Sequence, residues 1–542
     1  MNYVQRASKS LRIGTALVLA MFVVAVAATA IPAQAQTLTV LYEATGDPGI
    51  AIPQGLAIAL GRNGQLYTTD LSTGAFQGVF SFTTAGAVTL VNNVGGGPYA
   101  GVTLGTDGNF YGATVIGGAN GVGTVYKVTP KGVLTVLHSF TGNADGDFPV
   151  GPPIEATDGT FYGTTSSIGV PNSTAYSVTS KGVFKTIHTF TGSDGQNVDA
   201  PLVQGTDGDF YGVAVAGGAN NMGVVFKMTS SGAVTVLHSF TGTDGCSPST
   251  GLIQASDGNF YGTAPCGGDG GSAGVIFKIT SGGDYSVLYN SPSGDTSPPN
   301  SSLVQGTDGK LYGVTASGSS GAYGTIYNIT TTGTFTLVHT FVDTDGDNPS
   351  TPLRQDPDGK FYGATSNGGG ACECGVLYSL DMGLGPFVSL MSTSGKELSA
   401  VEILGQGFSK SSVVEFGGVA ATKIAVTGST YISATVPAGA LTGSVTVTTG
   451  GTTLTSTKTF SVLPTVKEFT PPSGPVGTAV TITGTGLTQT TKVTFDGVAA
   501  TKFTVNLDTQ VTADVPTGGK TGKIAVTTKG GSASSSAKFT VN

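Results

Sequence analysis

The sequence has no tryptophan, and only four cysteines and four histidines occur among its 542 residues. Charged residues make up 10% of the chain, well below the roughly 25% of an average globular protein. So few charges, beside so much glycine, are not typical of a helical bundle. The lack of tryptophan removes the side chain that most often stacks on sugars.

Glycine is the residue in excess, with 86 copies beside 26 Phe and 18 Tyr. Frequent glycine among Val, Thr and aromatic residues is typical of short strands joined by tight turns. The composition therefore predicts an all-β protein. A chain of this length exceeds what one compact core holds, so we expect several domains or a repeat array.

The first 35 residues have the features of a secretory signal peptide. Three basic residues precede an apolar stretch from about Ala16 to Ala30, and Ala33-Gln34-Ala35 forms a small-x-small cleavage pattern. An uncleaved N-terminal anchor is the alternative. Loss of three basic residues takes the formal charge from −8 to about −11, which argues against nucleic acid as a partner. Since no later segment has 18 uninterrupted apolar residues, we expect no membrane span in the mature chain.

A repeat of about 50 residues dominates the region from 36 to 385. The block Thr106–Gly112, with sequence TDGNFYG, recurs with its glycine at Gly159, Gly208, Gly258, Gly309 and Gly359, after a degenerate copy at Gly64. Four β-like segments follow one another in each of the seven units, which predicts a seven-bladed propeller. The Asp-Gly pair between the first and second segments suits a two-residue hairpin.

The seventh unit lacks its fourth segment. Residues 37–42, TLTVLY, match the fourth-segment motif at Thr135–His138 and belong to no unit of their own. We therefore expect the N-terminal strand to complete the last blade and close the ring, leaving no open sheet edge.

From about Pro386 a second repeat begins, with a period of 79 residues. Residues 416–423, FGGVAATK, correspond to 495–502, FDGVAATK, and ATVP at 434–437 corresponds to ADVP at 513–516. Two copies of alternating strands and Gly/Pro turns predict two immunoglobulin-like sandwiches, at 386–463 and 464–542.

Two family resemblances follow from these motifs. The segment from Pro472 to Leu487 resembles the opening of the IPT/TIG domain, whereas the first copy has Thr393–Glu397 in place of the proline-rich start. Residues 37–385 are similar to the GloVer type of tandem repeat, as in Tyr111–Phe140. The resemblance implies an extracellular bacterial protein in which IPT/TIG modules serve as spacers or adhesive units.

Histidines and aromatic residues are the first candidates for a functional site. His138, His188, His238 and His339 fall at one phase of the repeat, so we expect them around the ring, in packing or turn-bonding roles, rather than converging on a metal or substrate. The pair Phe110-Tyr111 recurs in the other blades. A sugar-stacking platform is one interpretation, but repetition in every blade favours packing between blades.

Acidic loops and cysteines are the remaining candidates. Asp343, Asp345 and Asp347 have the density of a calcium loop, but Arg354 occupies the position of the closing Glu, and a solvated turn is the favoured interpretation. Cys246 and Cys266 lie on loops of the same propeller face and are expected to form a disulfide. Cys372 and Cys374 then pair with each other or stay as thiols, and a zinc site is disfavoured by their spacing. No other cofactor is expected.

These observations predict a secreted or cell-surface protein that binds a ligand, a glycan or a protein, without catalysis. The propeller face formed by the variable loops is the expected ligand surface. An extracellular polysaccharide hydrolase or lyase with a central pocket is one alternative, for which Glu155 and Arg354 are the residues that break the consensus of the first strands. A purely structural envelope protein is the other.

Overall fold

The computed structural model describes residues 36–44, 57–70, 77–166, 173–269, 274–292, 298–315, 323–349, 351–370 and 372–542. Strands are the regular elements in these ranges, which confirms the all-β prediction. Within the same ranges there is no helix long and apolar enough to cross a membrane. The signal peptide predicted at 1–35 lies outside the described residues.

The first part of the chain is a seven-bladed propeller. Strand β1 (Thr37–Glu43) comes before blade 1, which consists of β2 (Ala59–Leu60), β3 (Leu66–Thr69), β4 (Gly78–Phe82) and β5 (Val88–Asn93). Blade 2 consists of β6 (Thr103–Leu104), β7 (Phe110–Thr114), β8 (Thr124–Val128) and β9 (Leu134–Ser139), and blade 3 of β10 (Ile154–Glu155), β11 (Phe161–Thr164), β12 (Thr174–Val178) and β13 (Phe184–Thr189). Blade 4 consists of β14 (Val203–Gln204), β15 (Phe210–Ala214), β16 (Val224–Met228) and β17 (Val234–Ser239). Blade 5 consists of β18 (Ile253–Gln254), β19 (Phe260–Ala264), β20 (Val275–Ile279) and β21 (Tyr285–Asn290), and blade 6 of β22 (Val304–Gln305), β23 (Leu311–Thr315), β24 (Thr325–Ile329) and β25 (Phe335–Thr340).

Blade 7 is completed by the N-terminal strand. Its own strands are β26 (Asp347–Pro349), β27 (Arg354–Gln355), β28 (Phe361–Asn367) and β29 (Val376–Asp381). Strand β1 pairs antiparallel with β29 as the outer strand, with Thr37 opposite Asp381 and Glu43 opposite Val376. The predicted closure of the ring is confirmed, and the pairing removes the edge that β29 would otherwise expose.

The hairpin between the first and second strands differs from the one predicted. In blade 2 the Gly108 N–H donates to the Gly105 carbonyl and the Gly105 N–H donates to the Asn109 carbonyl, both at 2.8 Å. Gly108 has φ +82°, whereas the φ of Asp107 is not positive. This is a three-residue loop with one left-handed glycine rather than a two-residue turn, because a type I turn followed by a glycine bulge needs one positive φ and not two.

Blades pack on one another through the repeated aromatic pair. The Tyr of one blade packs against the Phe of the next at ring-centroid distances of 3.7–4.3 Å, in the pairs Tyr67–Phe110, Tyr111–Phe161, Tyr162–Phe210, Tyr211–Phe260 and Tyr312–Phe361. These rings are buried. The packing interpretation of Phe110-Tyr111 is therefore confirmed, and these rings are not free to stack on a sugar.

Two immunoglobulin-like sandwiches follow the propeller. The first contains β30 (Ser389–Leu390), β31 (Ser394–Lys396), β32 (Ala400–Leu404), β33 (Val413–Phe416), β34 (Val419–Ala420), β35 (Ile424–Thr427), β36 (Tyr431–Thr435), β37 (Val445–Thr449), β38 (Thr452–Thr455) and β39 (Ser461–Leu463). Its main sheets run β30-β32-β36-β35 and β34-β33-β37-β38. The second contains β40 (Thr465–Thr470), β41 (Ser473–Gly474), β42 (Ala479–Thr485), β43 (Thr490–Phe495), β44 (Val498–Ala499), β45 (Phe503–Leu507), β46 (Gln510–Asp514), β47 (Gly522–Thr528) and β48 (Gly531–Val541). Its sheets run β40-β42-β46-β45 and β41-β48-β47-β43-β44. Each sandwich encloses its own apolar core.

Candidate binding surfaces

One face of the propeller is built from loops that pair with each other, and we call it the loop face. It comprises the loops between second and third strands and those that lead from an outer strand to the next blade. A loop leaving one blade forms a bridge with the second-to-third-strand loop of the following blade, as in Gln196–Ala216 and Cys246–Cys266. In blade 7 the equivalent pairing is long enough for β26 to join β28. This pairing gives the variable loops a common backbone support.

Disulfides brace the loop face at two places. Cys246 and Cys266 are bonded across the bridge between the loops of blades 4 and 5. Cys372 and Cys374 are bonded to each other within a loop of blade 7. All four cysteines are therefore in disulfides and not in a zinc site. Disulfides are typical of proteins in an oxidising compartment.

The Cys246–Cys266 bond is expected to contribute measurably to stability. It joins residues 20 positions apart, for which the loss of chain entropy in the unfolded state corresponds to about 3 kcal/mol. The double variant Cys246→Ser, Cys266→Ser should lose about that free energy of unfolding in urea titrations. The matched control is Cys372→Ser with Cys374→Ser, whose separation of 2 closes almost no loop. Equal losses of unfolding free energy in the two double variants would contradict this prediction.

The histidines hold turns on the outer edge of the ring. Each donates a hydrogen bond from Nε2–H to an Asp Oδ2 in the following loop at 2.8–3.0 Å, in the pairs His138–Asp145, His188–Asp194, His238–Asp244 and His339–Asp345. The His138 ring also stacks on Phe184 of the next blade at 3.6 Å. Burial lowers the pKa of His238, which keeps its imidazole neutral to lower pH. The turn-bonding interpretation is confirmed.

The acidic loop that follows blade 6 contains the same kind of His–Asp hydrogen bond, here between His339 and Asp345. Asp345 accepts bonds from His339 and from the Val342 N–H at 2.7 Å. Burial, and then repulsion from Asp343, raises the pKa of Asp347. Among the residues that the structure describes, no three Asp, Glu, His or Cys side chains converge as a metal ion would need. Asp345 is thus engaged by His339 and by its own turn, and the calcium site considered for Asp343, Asp345 and Asp347 stays a prediction.

Glu155 lies in a ring of contacts that join neighbouring blades. Its carboxylate accepts bonds from the Thr106 N–H at 2.6 Å and the Thr106 hydroxyl at 2.7 Å. Four glutamines at the same repeat position accept the N–H of the preceding blade's turn at 2.9–3.0 Å: Gln204, Gln254, Gln305 and Gln355. We call these five contacts the inter-blade staples. Burial raises the pKa of Glu155 despite its two bonds with Thr106.

Arg354 joins a different pair of blades. Its Nη1 donates to the Ile58 carbonyl of blade 1 at 3.3 Å. Burial lowers the pKa of this guanidinium, and burial followed by repulsion from Asp358 raises the pKa of the neighbouring Asp356 to about 6. The structure thus uses Glu155 between blades 2 and 3 and Arg354 between blades 7 and 1, each in a contact that holds the ring together.

The turns of blades 7 and 1, Asp356–Gly359 and Gly61–Gly64, form a seam without staples. Blade 1 has Leu60 and blade 2 has Leu104 where later blades have Glu155 or a glutamine. Pro357 has no N–H to donate, so a glutamine at Leu60 would find no partner there. The seam is therefore held by other groups.

The first immunoglobulin-like domain holds the seam. Arg62 forms an ion pair with Glu402 at 2.5 Å, and its carbonyl accepts a bond from the Thr430 hydroxyl at 2.8 Å. The Phe387 N–H donates to the Pro357 carbonyl at 3.0 Å. Leu404 is buried in one apolar cluster with residues of blades 1 and 7. These contacts were not predicted from the sequence. Arg62 and Pro357 stand where the other blades have Thr or Ser, and that departure from the repeat was the signal for them.

A cleft lies beside these contacts, between the propeller turns and the first immunoglobulin-like domain. Its volume is about 550 Å³, and its lining includes Arg62, Asp107, Asn109, Pro130 and Ser429. Burial would raise the pKa of Asp107, but bonds from Asn109 and Tyr111 leave it below its ordinary value. The cleft therefore carries a negative charge beside the Arg62–Glu402 pair.

Comparisons with known proteins agree with this architecture. A family model for the Gloeobacter/Verrucomicrobia repeat matches residues 29–205 and 198–407, and the IPT/TIG domain model matches 464–541. A comparison with curated proteins finds no match.

Among solved structures, the chain is similar to a protein from B. thetaiotaomicron described as the extracellular domain of a hybrid two-component system, at 12% identity and a TM-score of 0.43, over 78% of this chain and 57% of that one. The chain thus spans less than two thirds of that protein's length. It is also similar to a gluconolactonase from Xanthomonas campestris, at 14% identity and a TM-score of 0.36, over 64% of this chain and 90% of that one. Such distant matches assign no activity.

Proposed function

Because this chain belongs to the Gloeobacter/Verrucomicrobia repeat family and carries a C-terminal IPT/TIG domain, we propose that it is a non-catalytic binding protein of the cell exterior. The loop face is its ligand surface, and the two immunoglobulin-like domains hold the propeller at a distance from whatever retains the C-terminal end. An extracellular glycan or protein is the ligand class.

The observation that carries this proposal is the position of the first immunoglobulin-like domain. It packs on the turns Asp356–Gly359 and Gly61–Gly64, which belong to the hairpin face of the propeller. Loops between second and third strands emerge on the opposite side of a blade. The loop face is therefore directed away from the domain that follows the propeller, as a presented binding surface would be.

Exposed apolar side chains on the loop face support the same proposal. Tyr99, Ile116, Met222 and Val342 are 39–50% exposed, and each lies on a loop of this face. Large apolar and aromatic side chains held at a surface are the usual anchors of binding interfaces. The backbone bridges and the Cys246–Cys266 bond fix the loops around them, which lowers the entropy lost on binding.

The acidic, basic and histidine side chains considered for catalysis bond to neighbouring blades or to turns. Glu155 and Arg354 each bond to a neighbouring blade, and His138 and its equivalents bond to turn carboxylates. A polysaccharide hydrolase or lyase needs a pair of carboxylates, or a carboxylate with His or Arg, around one substrate bond. Disulfide bonds fit a location outside the cytoplasm.

The proposal is tested by screening residues 36–542 on a glycan array and against immobilised surface proteins. The variant Tyr99→Ala, Met222→Ala should weaken any saturable binding by about tenfold or more, because truncating each hot-spot side chain costs more than about 1 kcal/mol. The dissociation constant is measured by calorimetry.

The matched control is Val183→Ala, a side chain that is 69% exposed on a hairpin of the opposite face. It should leave the dissociation constant unchanged. If Val183→Ala weakens binding and the Tyr99, Met222 variant does not, the ligand lies on the hairpin face and the proposal is wrong. Hydrolysis of an array glycan by the wild-type chain would favour the enzyme alternative.

A further inference from the structure

A disulfide between cysteines two positions apart closes a very small ring on the loop face. Cys372 and Cys374 lie in the loop between β28 and β29 of blade 7, and both are partly exposed. Because only Glu373 separates them, the two sulfurs stay near each other in the unfolded chain as well, and the bond adds little to the stability of the fold. A contribution to folding therefore does not explain this disulfide.

The same loop shape occurs in blades 2 and 4, where the loop contains no cysteine. In each case the glycine before the third strand donates its N–H to the carbonyl of a glycine that follows the second strand. These bonds are 2.9–3.2 Å long and join Gly123 to Gly117 in blade 2, Gly223 to Gly217 in blade 4 and Gly375 to Gly368 in blade 7. The loop therefore forms without a disulfide, and positions counted back from the closing glycine are equivalent.

Two places before the closing glycine, the backbone is left-handed in all three loops. Blade 2 has Gly121 there with φ +79°, blade 4 has Asn221 with φ +55°, and blade 7 has Glu373 with φ +53°. Glycine and asparagine adopt this region readily, whereas longer side chains are disfavoured in it. The small disulfide ring holds Glu373 in this conformation, and opening the bond releases it. This strain makes the disulfide less stable relative to the two thiols.

Carbonyl oxygens that can accept a thiol hydrogen already lie beside both sulfurs. Cys372 Sγ is 2.9 Å from the carbonyl oxygen of Ala44, which follows β1, and Cys374 Sγ is 3.3 Å from the Cys372 carbonyl oxygen. A disulfide sulfur has no hydrogen to donate, whereas each thiol has one. The Ala44 N–H also donates to the Gly375 carbonyl at 3.3 Å, so backbone holds the loop beside β1. The fold can thus accommodate the dithiol as well as the disulfide.

The surroundings of this disulfide are acidic. Burial raises the pKa of Asp347, and repulsion from Asp343 and Glu373 acts in the same direction. On the other side, a Cβ placed on Gly370 would lie 3.1 Å from Oε2 of Glu43. A thiolate that attacks a disulfide is an anion, so nearby carboxylates slow the approach of thiols that carry further negative charge. Neutral and cationic thiols are favoured.

We propose that Cys372–Cys374 is a thiol–disulfide exchange site, which opens and closes in the folded protein and reacts preferentially with neutral or cationic thiols. The thiolate of the reductant attacks one sulfur, the S–S bond breaks, and the other sulfur leaves as a thiolate that takes up a proton from water. A second thiolate attacks the external sulfur of the mixed disulfide and releases the remaining cysteine, which is also protonated. Two electrons pass to the protein, and two molecules of thiol become one disulfide.

The Cys246–Cys266 bond serves as the internal reference. Its cysteines lie opposite each other across a backbone bridge, and the Cys246 N–H donates to the Cys266 carbonyl at 2.9 Å. With a separation of 20 residues, this bond does not enclose a single residue in a small ring. The strain found at Glu373 is therefore not built into it, and we expect it to resist reduction more strongly.

The test is equilibration of residues 36–542 in cysteamine–cystamine redox buffers, followed by alkylation of free thiols and mass spectrometry of the cysteine peptides. The equilibrium constant for opening Cys372–Cys374 should be about tenfold larger than that for Cys246–Cys266, because a left-handed residue other than glycine is strained by about that factor. The near-ultraviolet circular dichroism of the tyrosines should stay native. Equal constants, or opening of Cys372–Cys374 only where the chain unfolds, would overturn the proposal.

Two neutral substitutions of the intervening residue separate strain from charge. Glu373→Asn and Glu373→Gln remove the same carboxylate, but only asparagine adopts the left-handed region readily. The opening constant of the asparagine variant should therefore be smaller than that of the glutamine variant by about threefold or more. Equal constants in the two variants would show that the ring is not strained at this residue, and the proposal would be wrong.

The preference for a thiol charge is measured as a rate. At equal thiolate concentration and low salt, cysteamine should open Cys372–Cys374 faster than 2-mercaptoethanesulfonate by about threefold or more. Each rate is divided by the rate for the urea-unfolded chain, which corrects for intrinsic reactivity. The difference should shrink at about 1 M salt and in Glu373→Gln, whereas Glu468→Gln, at an exposed glutamate of the second immunoglobulin-like domain, should behave as the wild type. Equal corrected rates for the two thiols at low salt would contradict the proposed selectivity.

Discussion

Removal of strand β1 is expected to lower the free energy of unfolding of the propeller by about 5 kcal/mol. Leu38, Val40, Leu41 and Tyr42 are partly buried against blade 7 and its neighbours, and half-burial of each such side chain contributes about 1–1.5 kcal/mol. The deletion also exposes the N–H and C=O groups of β29 as a free sheet edge. Such an edge favours aggregation as well as unfolding.

The comparison is between fragments 36–542 and 44–542 in urea unfolding followed by tyrosine fluorescence. The control is Thr39→Ala, because Thr39 lies in the middle of β1 with an exposed side chain and the substitution keeps the backbone pairing. This control should change the free energy of unfolding by less than about 0.5 kcal/mol. If 44–542 unfolds at the wild-type urea concentration, the strand adds nothing to the closed ring and the expectation is wrong.

Truncation after residue 385 is expected to destabilise the propeller by about 4 kcal/mol, although the sequence places a domain boundary there. Leu404 is buried in a cluster with blades 1 and 7, and Met391 and Tyr431 pack against it. Burial of these side chains contributes about 1–2 kcal/mol each. The cut also removes Glu402 from Arg62 and opens the seam between Asp356–Gly359 and Gly61–Gly64, which has no inter-blade staples of its own.

The control fragment is 36–463, which keeps the first immunoglobulin-like domain. The thermal midpoint of the propeller should be the same in 36–463 and 36–542 and lower by about 8–16 °C in 36–385, taking about 2–4 °C for each kcal/mol in a domain larger than 150 residues. A midpoint of 36–385 equal to that of 36–463 would mean that the domain is a detachable spacer. Glu402→Gln in the full chain measures how much of the decrease in the thermal midpoint comes from the Arg62–Glu402 ion pair.

The repeat made the propeller predictable in some detail. Seven copies of the block that reads TDGNFYG in blade 2 place strands and turns at the same phase, so the packing role of Tyr111 and the turn-bonding role of the histidines could be predicted from their positions in the repeat. The closing strand β1 followed from counting segments. The hairpin type was mistaken because Asp-Gly occurs in both two- and three-residue loops, and the choice depends on whether the aspartate adopts a positive φ.

The loop contacts were predictable only in part. That Cys246 and Cys266 share a face follows from their places in the repeat, and the structure bonds them. The aspartates of blade 6 were considered for calcium because of their spacing, whereas the structure shows that Asp345 accepts a bond from His339. Spacing along the chain does not show which of several nearby partners a carboxylate takes.

Much of the fold could be predicted from the sequence because the sequence is repetitive. A period of 50 or 79 residues puts equivalent positions into equivalent surroundings, so strands, buried faces and the number of blades emerge from the pattern that the copies share. The docking of Glu402 on Arg62, 340 residues apart, involves residues that occur once. No local pattern favours one such distant pair over another, because the free energy of the contact arises only when packing of whole domains brings the two side chains together and removes water from them.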